Sequence, residues 1–175
     1  MLGNTAEPAE CDEESATEDN VEDEGQTLQD IELAEETDDL ELAWENLDMA
    51  RLILAEQQDT ASKLMLADVH LVLGDVSLES ENFDQAVLDF EQAVQIKNSM
   101  LDASHRERAE AHYKLALALE YTEQLEMAID NVNLSSSVLQ SRLDDLAKVD
   151  DKSESVVSEI TEIEALFPEM DAKVR

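Results

Sequence analysis

Leu73-Gly74-Asp75-Val76-Ser77-Leu78-Glu79-Ser80-Glu81-Asn82-Phe83-Asp84-Gln85-Ala86-Val87-Leu88-Asp89-Phe90 is the stretch that decides the fold. Its first part closes an apolar run, its polar centre interrupts that run, and its last part opens another. On both sides the apolar residues recur at three- and four-residue spacing, the period of an amphipathic helix. With only 3 glycines and 2 prolines in 175 residues, few breaks separate such helices, and the chain reads as all-α.

The same pattern recurs along the chain. Ala86-x-x-x-Phe90-x-x-Ala93 is a small–large–small stripe; Ala43-x-x-x-Leu47-x-x-Ala50 lies 43 residues before it and Ala128-x-x-x-Val132-x-x-Ser135 lies 42 after it. Leu73-Gly74 and Leu115-Ala116 are a second matched pair, again 42 residues apart. Small residues at these points let helix backbones approach closely. The stripe is that of the second helix of a tetratricopeptide (TPR) repeat, whose usual period is about 34 residues. Each unit is therefore longer by about two helical turns, placed in the links Gln57–Lys63 and Asn98–Arg106. The expected fold is a TPR-like solenoid of antiparallel, lengthened helix pairs ending in a C-terminal capping helix.

Periodicity predicts helices from about Asp38-Asp39 to Leu54, Thr60 to Glu79, Phe83 to about Leu101, Ser104 to Tyr121, and Leu125 to Leu146. After a break at Asp150–Ser153, a sixth helix passes through Val156, Ile160, Ile163 and Leu166 to a limit or kink at Pro168. Ala43-Leu47-Ala50 is a second helix with no first helix before it. Residues 1–37 read as a disordered acidic segment, 38–149 as the repeats and 150–175 as the cap.

Charge is the other dominant feature: 45 acids against 11 Lys and Arg give a net −34. Such a chain repels nucleic acid and anionic lipid and attracts basic proteins. The acid is uneven. No Lys or Arg precedes Arg51, and ten acids lie between Glu7 and Glu24, including Asp12, Glu13, Glu14, Glu18, Asp19, Glu22, Asp23 and Glu24. Such a block cannot bury enough apolar surface to offset chain entropy and reads as an interaction tail.

Leu42-Ala43-Trp44-Glu45-Asn46-Leu47-Asp48, the stretch from Leu73 to Phe83, and Ala109-Glu110-Ala111-His112-Tyr113-Lys114-Leu115 together resemble the SHNi-TPR histone chaperones of the nuclear autoantigenic sperm protein family. The likeness runs from Asp38 to Arg175 and takes in Leu166-Phe167-Pro168-Glu169 of the capping helix. Leu2-Gly3-Asn4 resembles the segment before that family's acidic insertion. The resemblance lacks the family's first repeat, the first half of the second and the basic import segment. It implies a chaperone for the core histone pair of the nucleosome's central tetramer, with linker histone as a further partner. Its expected setting is the nucleus, with a cytoplasmic pool. The matching contact positions are Asp75, Glu79 and Glu81 in one cluster and Glu110, Tyr113 and Leu117 in another.

The residues themselves set limits. Asp75 and Glu79 share a face near a helix C-terminus, where acid opposes the helix dipole and like charges repel. Their repeat counterparts are Leu117 and Tyr121, so repeat packing does not ask for acid at either place. His70, His105 and His112 lack metal-ligand spacing, and His70 and His112 fall at equivalent positions. Cys11 is the only cysteine. Ser135-Ser136-Ser137 has no nucleophile-elbow glycines. No phosphate loop is present, so no enzyme, cofactor or metal is expected. No apolar run approaches the roughly 20 residues of a membrane span. A clamp for an acidic peptide tail has the wrong sign, because the repeat helices offer mostly Asp and Glu. A generic TPR adaptor or scaffold for another basic partner is the alternative, and the uncovered first helix favours a homodimer.

Overall fold

A computed structural model describes residues 28–149 and 153–174. Within them the chain forms α1 (Leu28–Ala55), α2 (Thr60–Glu79), α3 (Phe83–Met100), α4 (Arg106–Tyr121), α5 (Leu125–Lys148) and α6 (Glu154–Val174). Each helix packs on its sequence neighbours, and α2 also touches α4. This is the serial stacking of a solenoid. Helices α2 and α4 are the first members of two pairs, and α3 and α5 are the second members. Helix α1 is a second member with α2 as its only packed neighbour among the described helices.

The period is visible in the backbone. Helices α3 and α5 start at Phe83 and Leu125, 42 residues apart. The turns before them are built alike. Asn82 N–H donates to Ser77 O, and Gln124 N–H donates to Leu119 O, at 2.7 and 2.9 Å. Glu81 and Glu123 take the left-handed conformation at φ 55° and 60°. Each turn is a Schellman cap with glutamate where glycine is usual.

Two apolar clusters follow. One joins Leu71, Phe90, Ala93, Leu115 and Leu119; the other joins Ala116, Val132, Leu139, Leu146, Ile163 and Met170. Gly74 controls the first. A Cβ at Gly74 would lie 2.4 Å from the Phe90 ring, inside van der Waals contact, and Phe90 is fully buried. In the next unit Ala116 replaces the glycine and Val132 replaces the phenylalanine. The same space is filled from the other side.

Polar links repeat as well. His70 Nδ1 meets Asp89 Oδ1 at 2.8 Å, and His112 Nδ1 meets Asn131 Oδ1 at 2.8 Å, each joining the two helices of one pair. The matched histidines therefore serve packing. Ser135 Oγ donates to the Ala109 carbonyl within the core.

Two expectations need correction. Helix α1 begins at Leu28, ahead of the expected start, so Asp38-Asp39 sits inside α1 instead of capping it. Leu28, Ile31, Ala34 and several glutamates continue good helix-forming sequence upstream, and acid near a helix start suits the dipole. Residues 1–27, which hold the acidic tail from Asp12 to Glu24, lie outside the described residues. Pro168 does not end α6, which continues to Val174. Proline removes one backbone bond, but Met170 is buried and Val174 packs on the same cluster, which holds the last turns in place. The links at 57–63 and 98–106 mainly extend helices: α2 already starts at Thr60, capped by Asp59, and α3 runs to Met100.

Gly74→Ala is expected to destabilise the fold by about 2 kcal/mol through overpacking. Phe90→Val in the same chain should recover most of that loss. Denaturant melts of both single variants and the double variant check it; additive losses would contradict the contact.

Candidate partner-binding face

The expected contact residues lie on α2, α4 and the α2–α3 turn. Helix α4 carries Glu110, Tyr113 and Leu117 at helical spacing on one side. Glu110 is exposed, while Tyr113 and Leu117 are half-buried. Asp75 and Glu79 lie one turn apart at the end of α2, and Glu81 follows in the turn.

Four of these residues, Glu79, Glu81, Glu110 and Tyr113, line two clefts. The first, of about 570 Å³, is lined by Leu40, Glu41 and Trp44 of α1 and by Val76, Ser77, Glu79, Ser80, Glu81 and Asn82. Its apolar wall is Leu40, Trp44 and Val76; its acids are Glu41, Glu79 and Glu81. Among the described residues no cation pairs with any of these three carboxylates. The second cleft, also about 570 Å³, lies between α4, α5 and α6 and includes Glu110, Tyr113, Leu139, Leu166 and Glu169. Helix α6 does not pack backbone-to-backbone on α4. Side chains span the gap instead: Arg106 to Glu162 at 2.9 Å, Tyr113 to Glu169 at 2.8 Å and Lys173 to Glu120 at 2.7 Å.

Asp75 and Leu117 line neither cleft. Lys114 Nζ donates to both Asp75 carboxylate oxygens at 2.6 Å, tying α2 to α4. Asp75 therefore carries a structural ion pair between repeats, a role absent from its repeat counterpart Leu117. Glu81 has a backbone role, shared with Glu123. Glu79 alone of the first cluster is exposed and free of both. Lys114 and Glu169 were not legible as site residues, because their partners lie 39 and 56 residues away in sequence. Trp44 is 44% exposed on the first cleft.

The local fields are mostly acidic but not uniform. Lys97 is 1% exposed, with Asp68 at 2.6 Å and Glu107 at 2.7 Å. Burial depresses its ammonium, yet the two carboxylates outweigh that and hold its pKa above the ordinary value. Burial and then the Glu169 carboxylate push the Tyr113 phenol up to about 12, so it stays a hydrogen-bond donor at neutral pH. The described residues hold no cluster of acids, histidines or cysteines able to bind a metal ion. No described helix is long and apolar enough to cross a membrane.

The SHNi-TPR family pattern matches residues 67–104, which contain α3 and most of α2. The chain is 40% identical over 120 residues to nuclear autoantigenic sperm protein of Homo sapiens, covering 69% of this chain and 15% of that protein. It is 40% identical over 110 residues to histone-binding protein N1/N2 of Xenopus laevis, covering 63% of this chain and 19% of that protein. It is 36% identical over 122 residues to NASP-related protein sim3 of Schizosaccharomyces pombe, covering 63% of this chain and 31% of that protein. The chain thus spans less than a third of the length of each.

Two outcomes follow from the geometry. Glu81→Gly should raise stability by about 0.5–1 kcal/mol by relieving the left-handed glutamate, measured by thermal melting; a loss of stability would contradict the cap. For Tyr113, the folded state holds the proton more tightly than the unfolded chain. Its contribution is complete below the ordinary tyrosine pKa and is lost as pH rises toward about 12. Ultraviolet titration should show one late tyrosinate step that Tyr113→Phe removes and Glu169→Gln moves to lower pH.

Proposed function

The chain belongs to the SHNi-TPR family of nuclear autoantigenic sperm protein relatives, and on that premise we propose that it is a histone chaperone. It is a binding protein and not an enzyme. Its partners are the core histone pair of the nucleosome's central tetramer, with linker histone as a further client, for storage, transport and nucleosome assembly. The nucleus is its main location, with a cytoplasmic pool.

The observation that carries this reading is the first cleft. Glu41, Glu79 and Glu81 surround Leu40, Trp44 and Val76, and among the described residues no cation pairs with them. A cationic segment with an apolar side satisfies both parts of such a wall, forming charge-assisted bonds to the acids. Glu110 and Tyr113 offer a second contact on α4, with Leu117 beside them. Asp75 acts through its Lys114 bridge, which fixes the relation of α2 to α4. The acids between Asp12 and Glu24 add long-range attraction that salt screens more readily than the cleft.

The charge-reversed chain Glu79→Lys/Glu81→Lys should bind the core histone pair about 10- to 100-fold more weakly at about 150 mM salt, from two lost charge-assisted contacts. Fluorescence titration measures it, with circular dichroism to verify the fold. Unchanged affinity in a folded variant contradicts the cleft.

A further inference from the structure

Asp75, Glu79, Glu81 and Glu110 are the acids expected to meet a cationic partner. Among the described residues only Asp75 already carries a cation. Lys114 Nζ reaches across from α4 to α2 and lies 2.6 Å from both carboxylate oxygens of Asp75. The chain thus places its own ammonium where a partner's charge would otherwise sit.

Repeat packing does not ask for this pair. One repeat earlier Val72 holds the position of Lys114, and one repeat later Leu117 holds that of Asp75. Val72 is itself 44% exposed, so a neutral side chain serves there even in contact with water. Nor is the pair sealed from solvent: the Asp75 side chain is 42% exposed and that of Lys114 24%. An ion pair open to water contributes little net stability, because both groups give up hydration and freedom to form it. Lys97 is the contrast. Its side chain is 1% exposed and its ammonium has two carboxylates, so it is locked. Lys114 has one carboxylate in hand and another within reach. Glu110 lies one turn upstream on α4, is exposed, and pairs with no cation among the described residues. Glutamate four residues before lysine is the favourable order for such a pair on a helix.

We propose that Lys114 is a displaceable internal counter-cation that makes Asp75 selective for arginine over lysine in the partner. A partner lysine offers Asp75 the same single ammonium that Lys114 already supplies. Lys114 is tethered in the chain and competes at high effective concentration. An arginine offers a planar fork whose two parallel N–H groups match the two carboxylate oxygens, and its guanidinium is more weakly hydrated. It displaces Lys114, which swings to Glu110. The bridge between α2 and α4 in the free chain thus opens to arginine and stays shut to lysine. This role rests on the proposed function only in that the partner is cationic.

Titration of the full chain and its Lys114→Met and Lys114→Arg variants with oligoarginine and oligolysine of equal length provides the test, with circular dichroism to verify the fold. The acids between Glu7 and Glu24 are common to all these chains, so their contribution cancels between them. Lys114→Met keeps the aliphatic stem and removes the competitor. It should raise the affinity for oligolysine about threefold more than that for oligoarginine. Lys114→Arg keeps the net charge and fills Asp75 with a fork that a second fork does not displace. It should lower oligoarginine affinity about threefold and leave oligolysine unchanged. Both variants therefore narrow the preference for arginine, from opposite sides. With Asp75→Asn in the same chain, neither change at Lys114 should move the preference. Failure of the core histone pair to bind the full chain would remove that partner, while the oligopeptide comparison still decides the role of Lys114. An unchanged preference in either folded variant overturns the proposal, as does an equal shift in the Asp75→Asn chain.

Discussion

The close approach of Gly74 to the Phe90 ring is the contact on which the rest of the architecture depends. Burying a phenylalanine contributes about 2–3 kcal/mol, but here the ring lies where a side chain on α2 would be. The α2–α3 distance is therefore set by the absence of a Cβ. That distance places the Glu79–Asn82 turn against α1 and creates the acidic cleft beside Trp44. Ala116 and Val132 solve the same problem with a methyl group on the first helix and a smaller side chain on the second.

Excess acid is the second constraint, and few cations are available to relieve it. Those present are used between repeats more than within helices. Lys114 joins α4 to α2 through Asp75. Lys97 occupies the position that Leu139 fills one repeat later. Its aliphatic stem is buried like a leucine, and its ammonium reaches Asp68 and Glu107. Arg106, Lys173 and Arg142 hold α6 through Glu162, Glu120 and Glu159. Most of the paired cations thus lie toward the middle and the C-terminal end of the solenoid, while Arg51 of α1 pairs with Asp48 of its own helix. Among the described residues Glu41, Glu79 and Glu81, at the α1 end, are left without them, and that imbalance makes the first cleft the natural place for an external cation.

Helix boundaries were legible because local signals agree. Thr60 follows Asp59, a side-chain cap, and Phe83 follows a polar break, so α2 and α3 fall where periodicity puts them. The solenoid was legible from spacing alone, since the stripe of small residues recurs with little variation. The start of α1 was not legible because composition gives weight to charge, whereas Leu28, Ile31 and Ala34 carry helical period through that charge. Pro168 misled because the tertiary contacts of Met170 and Val174 override a local breaker. The candidate site was only partly legible. Exposure of Glu79 follows from its place at a helix end, but the engagement of Asp75 and Tyr113 depends on Lys114 and Glu169, which no local pattern connects to them.

Amide hydrogen exchange of the full chain, with and without the core histone pair at about 150 mM salt, tests the central claim most directly. The exposed cleft and the α4 face should gain protection on binding, at residues 79–82 and 110–117, with Trp44 on the same footprint. Protection confined to residues 1–27, with the α2–α3 turn and α4 unchanged, would contradict the account and leave the acidic segment as the sole binding element.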